Sequence, residues 1–173
     1  MALHDEQGIS ATSLRHVAGR AGVAPSTVSQ HFPRMGDLIR ACGELSSDLA
    51  PVPDRAVLDG ATDVVDKIRR MATAMFEWWE LLGPGFDHLR IDRRRIPDVE
   101  AWLTDVGRRH RALAAAALSD PIRVDLLVAL TTADGWHALR ASGATPREAG
   151  WRVARLIGQD MAGGSATTKE RLH

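Results

Sequence analysis

Apolar residues recur at helical spacing along most of the chain, and no stretch alternates in the manner of a β-strand. The longest such pattern predicts a helix from Asp59 to Leu82, ended by the Gly-Pro-Gly sequence that follows it. A short helix is expected from Phe86 to Ile96, and another opens at Asp98. The chain is therefore predicted to be all-α, with about nine helices if an incomplete helix ahead of residue 8 is counted.

Capping signals define the helices in the last third of the chain. Asp120 followed by Pro121 predicts an N-cap and first helical position, and that helix is expected to run to about Ser142. The capping box Thr-Pro-Arg-Glu at residues 145–148 opens a last helix, expected to end at Met161. Prolines at 51 and 53 predict a boundary between a head, residues 1–50, and a helical body, residues 51–163. Residues 164–173 are expected to form a frayed tail.

The stretch from residue 12 to residue 40 predicts a helix-turn-helix followed by a third helix. Ala18 is small where two helices would cross, and Gly22 can adopt the left-handed backbone that a sharp turn needs. Val23 and Val28 are expected to anchor the second helix from beneath, and Pro25 suits its first turn. The opposite face would then display polar side chains suited to the DNA major groove: Ser26, Thr27, Ser29, Gln30 and His31.

The sequence TSLRHVAGRAGVAPSTVSQHFPRMGDLIR resembles the N-terminal signature of TetR-family transcriptional regulators, over about residues 8–41. The resemblance implies an all-helical homodimer whose three N-terminal helices bind double-stranded DNA at a palindromic operator. It also implies a larger helical domain that binds a small effector, expected to be apolar or amphipathic and to release a repressor. In the head, the five polar residues named above would read base edges. The phosphate backbone would be positioned by Thr12, Ser13, Arg15 and Arg34.

Several positions depart from the family signature. Only Met1–Gln7 precede Gly8 in place of a complete first helix, so either the start codon is assigned late or that helix is truncated. Ala24 replaces the Ser or Thr that usually caps the recognition helix. Residues 1–50 carry four arginines against five carboxylates, which predicts weak DNA binding by a monomer. The alternative is a ligand-binding or protein-interacting helical dimer whose truncated head no longer binds DNA.

The body offers candidate residues for an effector pocket and for a dimer interface. Methionine and indole side chains make adaptable apolar walls, and one histidine can orient a ligand, although plain core packing is an alternative. The predicted pocket comprises Met71, Met75, Trp78, Phe86, Trp102, Val106 and His110. Small residues four apart on the last helix would let a partner helix approach closely, unless they pack on the core of their own subunit. The predicted dimer interface comprises Leu130, His137, Gly150, Trp151, Ala154 and Gly158.

Composition excludes several classes of function. The formal charge is zero, 45% of residues are hydrophobic and no apolar run approaches a membrane span, as expected for a globular cytoplasmic protein. The single cysteine, Cys42, excludes an intrachain disulfide and fits a reducing compartment. No nucleophile, phosphate-loop or metal-ligand motif is present, so the sequence predicts no enzyme, no metal and no cofactor.

A cluster of arginines lies in the middle of the chain. Carboxylates are interleaved with it, so a solvated, ion-paired surface is the expected outcome. Attraction of an anionic effector or of flanking DNA phosphates is the alternative. The cluster comprises Arg90, Arg93, Arg94, Arg95, Arg108, Arg109 and Arg111.

Overall fold

The computed structural model describes residues 8, 11–83 and 85–170. Within these residues all regular structure is helical, which confirms the all-α prediction. The predicted first helix ahead of residue 8 lies outside the described residues. A short 3-10 helix, Arg55–Leu58, accompanies nine described α-helices: α1 Leu14–Ala21, α2 Pro25–His31, α3 Met35–Leu49, α4 Val64–Leu82, α5 Gly85–Asp92, α6 Pro97–Ala117, α7 Pro121–Leu130, α8 Ala133–Ala141 and α9 Pro146–Glu170.

The chain divides into two compact units, each built from separate stretches of sequence. The first unit comprises Met1–Pro51 and Leu82–Val106, so it joins α1, α2 and α3 with α5 and the first half of α6. The second unit comprises Val52–Leu81 and Gly107–His173. The head and body boundaries drawn from the sequence remain a prediction.

A small apolar cluster holds α3 against α5 and α6 in the first unit. Ile39 of α3 and Val99 of α6 are buried at its centre. Side chains from all three helices and from the turn before α6 pack around this pair: Met35, Leu89, Ile96 and Leu103. Because α3 also follows directly on the helix-turn-helix, this cluster ties the predicted DNA-binding helices to the helices after residue 82.

The second unit is organised around α4. This helix buries a continuous stripe that includes Ile68, Met71, Met75 and Phe76. Trp136 of α8 stacks on Phe76 with ring centroids 5.5 Å apart, and its indole N–H donates to Glu80 over 2.9 Å. An indole that is apolar on its face and satisfied at its nitrogen can be buried at little cost.

Four predicted helix boundaries are wrong. The short helix expected to reach Ile96 ends at Asp92, and residues 93–95 form a turn. The helix expected from Asp59 begins at Val64, because the left-handed Gly60 (φ 71°) ends the preceding turn and the Asp63 carboxylate accepts from the Asp66 N–H. The helix expected to reach Ser142 is interrupted after Leu130, where Thr132 caps a new helix by accepting from the Gly135 N–H. The last helix continues past Met161 to Glu170.

Candidate nucleic-acid interface

The turn between α1 and α2 is built on Gly22. Its backbone has φ 67° and ψ 28°, the left-handed conformation that non-glycine residues rarely adopt. The Val23 N–H donates to the Ala18 carbonyl over 3.0 Å, which closes the end of α1. Ala18 itself is 1% exposed. The predicted glycine-centred turn and its small crossing residue are therefore confirmed.

Helix α2 presents almost all of its surface to solvent. Val28 is the one buried residue of the helix, and it anchors α2 against the rest of the head. Val23, in contrast, is 41% exposed, so the prediction that it anchors α2 from beneath is wrong; it lies in the turn rather than on the buried face. The five predicted base-reading residues are all exposed: Ser26, Thr27, Ser29, Gln30 and His31.

The first turn of α2 has no side-chain cap, as Ala24 predicted. Pro25 occupies the first helical position, where its missing N–H costs no hydrogen bond. The Thr27 N–H donates to the Ala24 carbonyl over 3.0 Å, and at the other end the Phe32 N–H donates to the Val28 carbonyl over 2.8 Å. This short helix therefore depends on its backbone bonds and on the burial of Val28.

The predicted phosphate-binding residues differ in what their side chains can do. Ser13 is exposed and caps α1 by accepting from the His16 N–H over 3.2 Å, so its hydroxyl proton can still be donated. Thr12 is buried, and its hydroxyl donates to the Gly8 carbonyl over 2.8 Å. The prediction that Thr12 contacts phosphate is therefore corrected, because its one hydroxyl proton already holds the chain ahead of α1.

The two arginines predicted to contact phosphate are both accessible. Arg15 is exposed on the first turn of α1. Arg34 precedes α3 with its side chain 83% exposed, and its guanidinium nitrogen Nε lies 3.6 Å from the Asp37 carboxylate. The same carboxylate accepts from the Arg34 backbone N–H over 3.1 Å. An ion pair this exposed is weak and can be exchanged for a phosphate contact.

Comparison with known proteins identifies the head. Residues 1–42 match the family model described as bacterial regulatory proteins, tetR family. These residues therefore form a TetR-family DNA-binding head. Neither a comparison with curated proteins nor one with solved structures gave a match. The family assignment therefore depends on the helix-turn-helix, and this domain supports a role in DNA binding and transcription regulation.

The small-residue stripe of α9, formed by Gly150, Ala154 and Gly158, packs within its own subunit. Ala154 is fully buried, and a Cβ at Gly150 would overlap the Thr73 hydroxyl of α4. A Cβ at Gly158 would lie 3.4 Å from the Val65 side chain, also on α4. Helix α4 therefore occupies the surface that the sequence assigned to a partner helix, and the assignment of this stripe to the dimer interface is corrected.

The other predicted interface residues differ in accessibility. Leu130 and His137 are half-buried, whereas Trp151 is exposed and its ring carries the Arg69 guanidinium at 5.2 Å. A more accessible apolar face, absent from the predicted interface, lies on the neighbouring helices. Its members are Ile122 and Leu126 of α7 and Leu156 of α9. The four-residue spacing of Ile122 and Leu126 places both on one face of α7, a signal that was present in the sequence.

The predicted pocket residues belong to both units and are mostly core residues of each. In the second unit, Met71, Met75 and Trp78 are buried on α4. In the first unit, Phe86 and Val106 are buried and Trp102 is half-buried, with the rings of Phe86 and Trp102 6.3 Å apart. Burial of this kind is expected both of a core and of a closed apolar site, so the pocket remains a prediction.

His110, the polar member of that set, is engaged in a buried network in the second unit. Its Nε2 lies 2.8 Å from the Thr131 hydroxyl, which donates its own proton to the Leu127 carbonyl. The hydroxyl must therefore accept from His110, which places the imidazole proton on Nε2. The Trp79 indole N–H donates to the Thr131 carbonyl over 2.8 Å. Desolvation by burial lowers the pKa of His110 to about 4.

Other candidate chemistry in the described residues is limited. No group of histidine, cysteine and carboxylate side chains in residues 8, 11–83 and 85–170 could hold a metal ion. Over the same residues no helix is long and apolar enough to cross a membrane. Burial raises the pKa of the Cys42 thiol, which disfavours the thiolate that nucleophilic chemistry requires.

Proposed function

We propose that this TetR-family regulator is a homodimeric cytoplasmic repressor that binds a palindromic operator and is released by a small apolar or amphipathic effector. The observation that carries the proposal is the geometry of α2. A left-handed Gly22 turns the chain, Val28 fixes one side of the helix, and the remaining side chains face solvent. A short helix held in this way is suited to the major groove.

The exposed face of α2 supports direct reading of bases. Gln30 can pair bidentately with adenine, whereas the hydroxyls of Thr27 and Ser29 are less selective. Arg15 and Arg34, with Ser13, supply contacts to the phosphate backbone, which fix the register of the helix in the groove. Thr12 is left out of this set because its hydroxyl is committed to the Gly8 carbonyl.

A second copy of the chain is the proposed partner at the apolar face of α7 and α9. Ile122 is 80% exposed, and Leu126 and Leu156 are 38% and 52% exposed. Arg123 of α7 pairs with Asp160 of α9 over 2.8 Å, which links the two helices next to Ile122 and one turn from Leu156. Two heads joined in this way can engage half-sites one helical turn of DNA apart.

Release by an effector requires that the ligand bind one arrangement of the two heads better than the other. The predicted pocket supports an apolar or amphipathic ligand, because methionine and indole side chains dominate it and His110 is a neutral, buried histidine near neutral pH. An effector of this type would change the spacing of the heads, so that both no longer fit adjacent half-sites.

Selection from a randomised duplex library, followed by binding measurements on the enriched sequence, tests the proposal. We expect the wild-type protein to enrich a palindrome. Gln30→Ala should then lose about 1–3 kcal/mol of discrimination at one base position. Thr27→Ala should also weaken binding. Its matched control is Thr104→Ala, at an exposed threonine of α6, which should leave binding unchanged. Failure to enrich any duplex at low salt, with a dimer seen by light scattering, would instead support a dimer that does not bind DNA.

A further inference from the structure

A basic groove lies where α5 turns into α6 in the first unit. It has a volume of about 1230 Å³ and is open to solvent. Four arginines dominate its lining, with one glutamate and an exposed isoleucine: Arg90, Arg93, Arg94, Arg95, Glu100 and Ile91. We refer to residues 93–95 as the arginine turn.

The backbone of the arginine turn is held at both ends. The Arg93 N–H donates to the Leu89 carbonyl over 3.0 Å, which continues the pattern of α5. The Asp92 carbonyl accepts from the Arg95 N–H at 2.9 Å and from the Ile96 N–H at 3.1 Å. Ile96 then packs in the cluster around Ile39 and Val99. The three guanidinium groups are therefore carried by an ordered turn, which lowers the entropy lost when they bind a charged surface.

Only part of the charge in the groove is neutralised within the protein. Arg93 forms a two-pronged ion pair with Glu100, with distances of 2.6 and 2.7 Å. This pair lowers the pKa of the Glu100 carboxyl, which stays ionised near neutral pH. Among the described residues, Arg94 and Arg95 make no ion pair, and both are exposed. The expectation of a fully ion-paired surface therefore does not hold at these two positions.

The arginine turn adjoins the end of α3 where the head is expected to meet DNA. Met35, in the first turn of α3, packs in the same cluster as Ile96. A Cβ at Gly36 would lie 3.7 Å from the Asp98 carboxylate, which follows the turn. Arg34, the proposed phosphate contact, immediately precedes this first turn of α3. The arginine turn is thus packed against the N-terminal end of α3, which Arg34 precedes.

We propose that Arg94 and Arg95 bind the phosphate backbone of duplex DNA beside the half-site that α2 enters. This inference rests on the proposed function, and it extends the contact surface beyond the helix-turn-helix. A duplex fits the groove better than a small anion does, because the groove is wide and open and its guanidinium groups remain hydrated. A single small anion would gain little there, whereas a duplex carries one charge per about 1.7 Å of its axis.

The test compares two double variants on two duplexes. Arg94→Ala/Arg95→Ala removes the proposed contacts, and Arg55→Ala/Arg147→Ala removes the same charge from exposed positions in the second unit. The probes are a selected palindrome alone and the same palindrome lengthened by roughly half a helical turn, about 5 base pairs, at each end. Dissociation constants are measured by fluorescence anisotropy between about 50 and 200 mM salt.

On the longer duplex, the slope of log Kd against log salt should fall by about 1 for each arginine removed. A dimer carries four of these arginines, so the increase in Kd over that salt range then becomes roughly 200-fold smaller. The control variant should keep the wild-type slope on both duplexes. Arg94→Lys/Arg95→Lys should restore most of the slope, because a phosphate contact needs a cation rather than a planar fork. Unchanged thermal unfolding of each variant verifies that folding is intact.

Three results would overturn the inference, and they can be told apart from failure of the proposed function. An unchanged slope in the alanine variant, with tight wild-type binding, removes the phosphate contact and leaves the regulator intact. The same loss on the short and long duplexes would place the contact inside the half-site. The groove would instead be a small-anion site if pyrophosphate raised the unfolding temperature of the wild type but not of the alanine variant. The slope of log Kd against log salt would then be the same for both proteins. Only a wild type that enriches no duplex removes both proposals.

Discussion

The imidazole of His110 donates its Nε2 proton to the Thr131 hydroxyl over 2.8 Å, at the point where α7 ends. Thr131 is fully buried, and its carbonyl accepts the Trp79 indole N–H. One threonine thus joins α4, α6 and the junction between α7 and α8 inside the second unit. Because no carboxylate of the described residues pairs with this neutral histidine, protonation of His110 would leave a buried, uncompensated charge.

This network predicts a loss of stability as the pH falls from about 6.5 to about 4. Burial lowers the folded-state pKa of His110 to about 4, so within this window the unfolded chain takes up a proton that the folded chain refuses. The contribution of neutral His110 to the free energy of unfolding is fully present above its unfolded-state pKa and amounts to about 3 kcal/mol. Urea unfolding at a series of pH values measures it. His110→Gln should remove most of this pH dependence, and His137→Gln, at a half-buried position, should retain it.

Gly150 should not accept a side chain. In Gly150→Ala the new methyl group overlaps the Thr73 hydroxyl and approaches the Arg69 carbonyl of α4 to 3.1 Å. We expect a loss of about 1–3 kcal/mol in the free energy of unfolding. Adding Thr73→Ala to this variant should recover part of the lost stability. The second substitution removes the overlapping hydroxyl, a buried group for which the described residues offer no hydrogen-bond partner.

Gly163 provides the control for that substitution on the same helix. No atom of the described residues lies within 4 Å of a Cβ at this position, so Gly163→Ala should be neutral or stabilise α9 by up to about 1 kcal/mol. Chemical denaturation distinguishes the two variants. Equal stability of the two alanine variants would contradict the close packing of α9 on α4.

Substitution of Gly22 should be limited by the conformation of its backbone rather than by the space around an added side chain. In the described part of the chain no atom lies within 4 Å of a Cβ there, yet its φ of 67° is left-handed, so Gly22→Ala should cost about 1–2 kcal/mol. Gly19, three residues earlier and inside α1, has equal space around it, and Gly19→Ala should instead stabilise by about 0.5–1 kcal/mol. Thermal unfolding of both variants gives the sign. A stabilising Gly22→Ala would show that the turn does not need this conformation.

The proposed dimer should be sensitive to a charge on α7. Leu126→Glu places a carboxylate on the apolar face formed with Ile122 and Leu156, and it should convert the dimer to a monomer at micromolar concentration. Leu81→Glu, at an exposed leucine of α4 outside this face, is the control and should leave the mass unchanged. Light scattering coupled to size exclusion measures the mass. A wild type that is itself monomeric at this concentration would rule out the interface.

The sequence determined the parts of this protein that depend on neighbouring residues. The turn could be predicted from Gly22 alone, because a residue without a Cβ can adopt the left-handed backbone. The exposed face of α2 could be predicted because Val28 is surrounded in sequence by polar residues. Asp120 with Pro121, and Thr145 with Glu148, began their helices as predicted, because a cap is satisfied within three residues.

Tertiary structure decided the features whose partners are distant in sequence. The apolar residues up to and beyond Leu130 predict one long helix. Thr131 instead contacts His110 and Trp79, and the helix is interrupted at this residue. The stripe of Gly150, Ala154 and Gly158 shows only that a helix approaches closely, not whether that helix belongs to the same chain. Local hydrogen bonds form between near neighbours, whereas the choice among apolar partners follows from the packing of the whole fold.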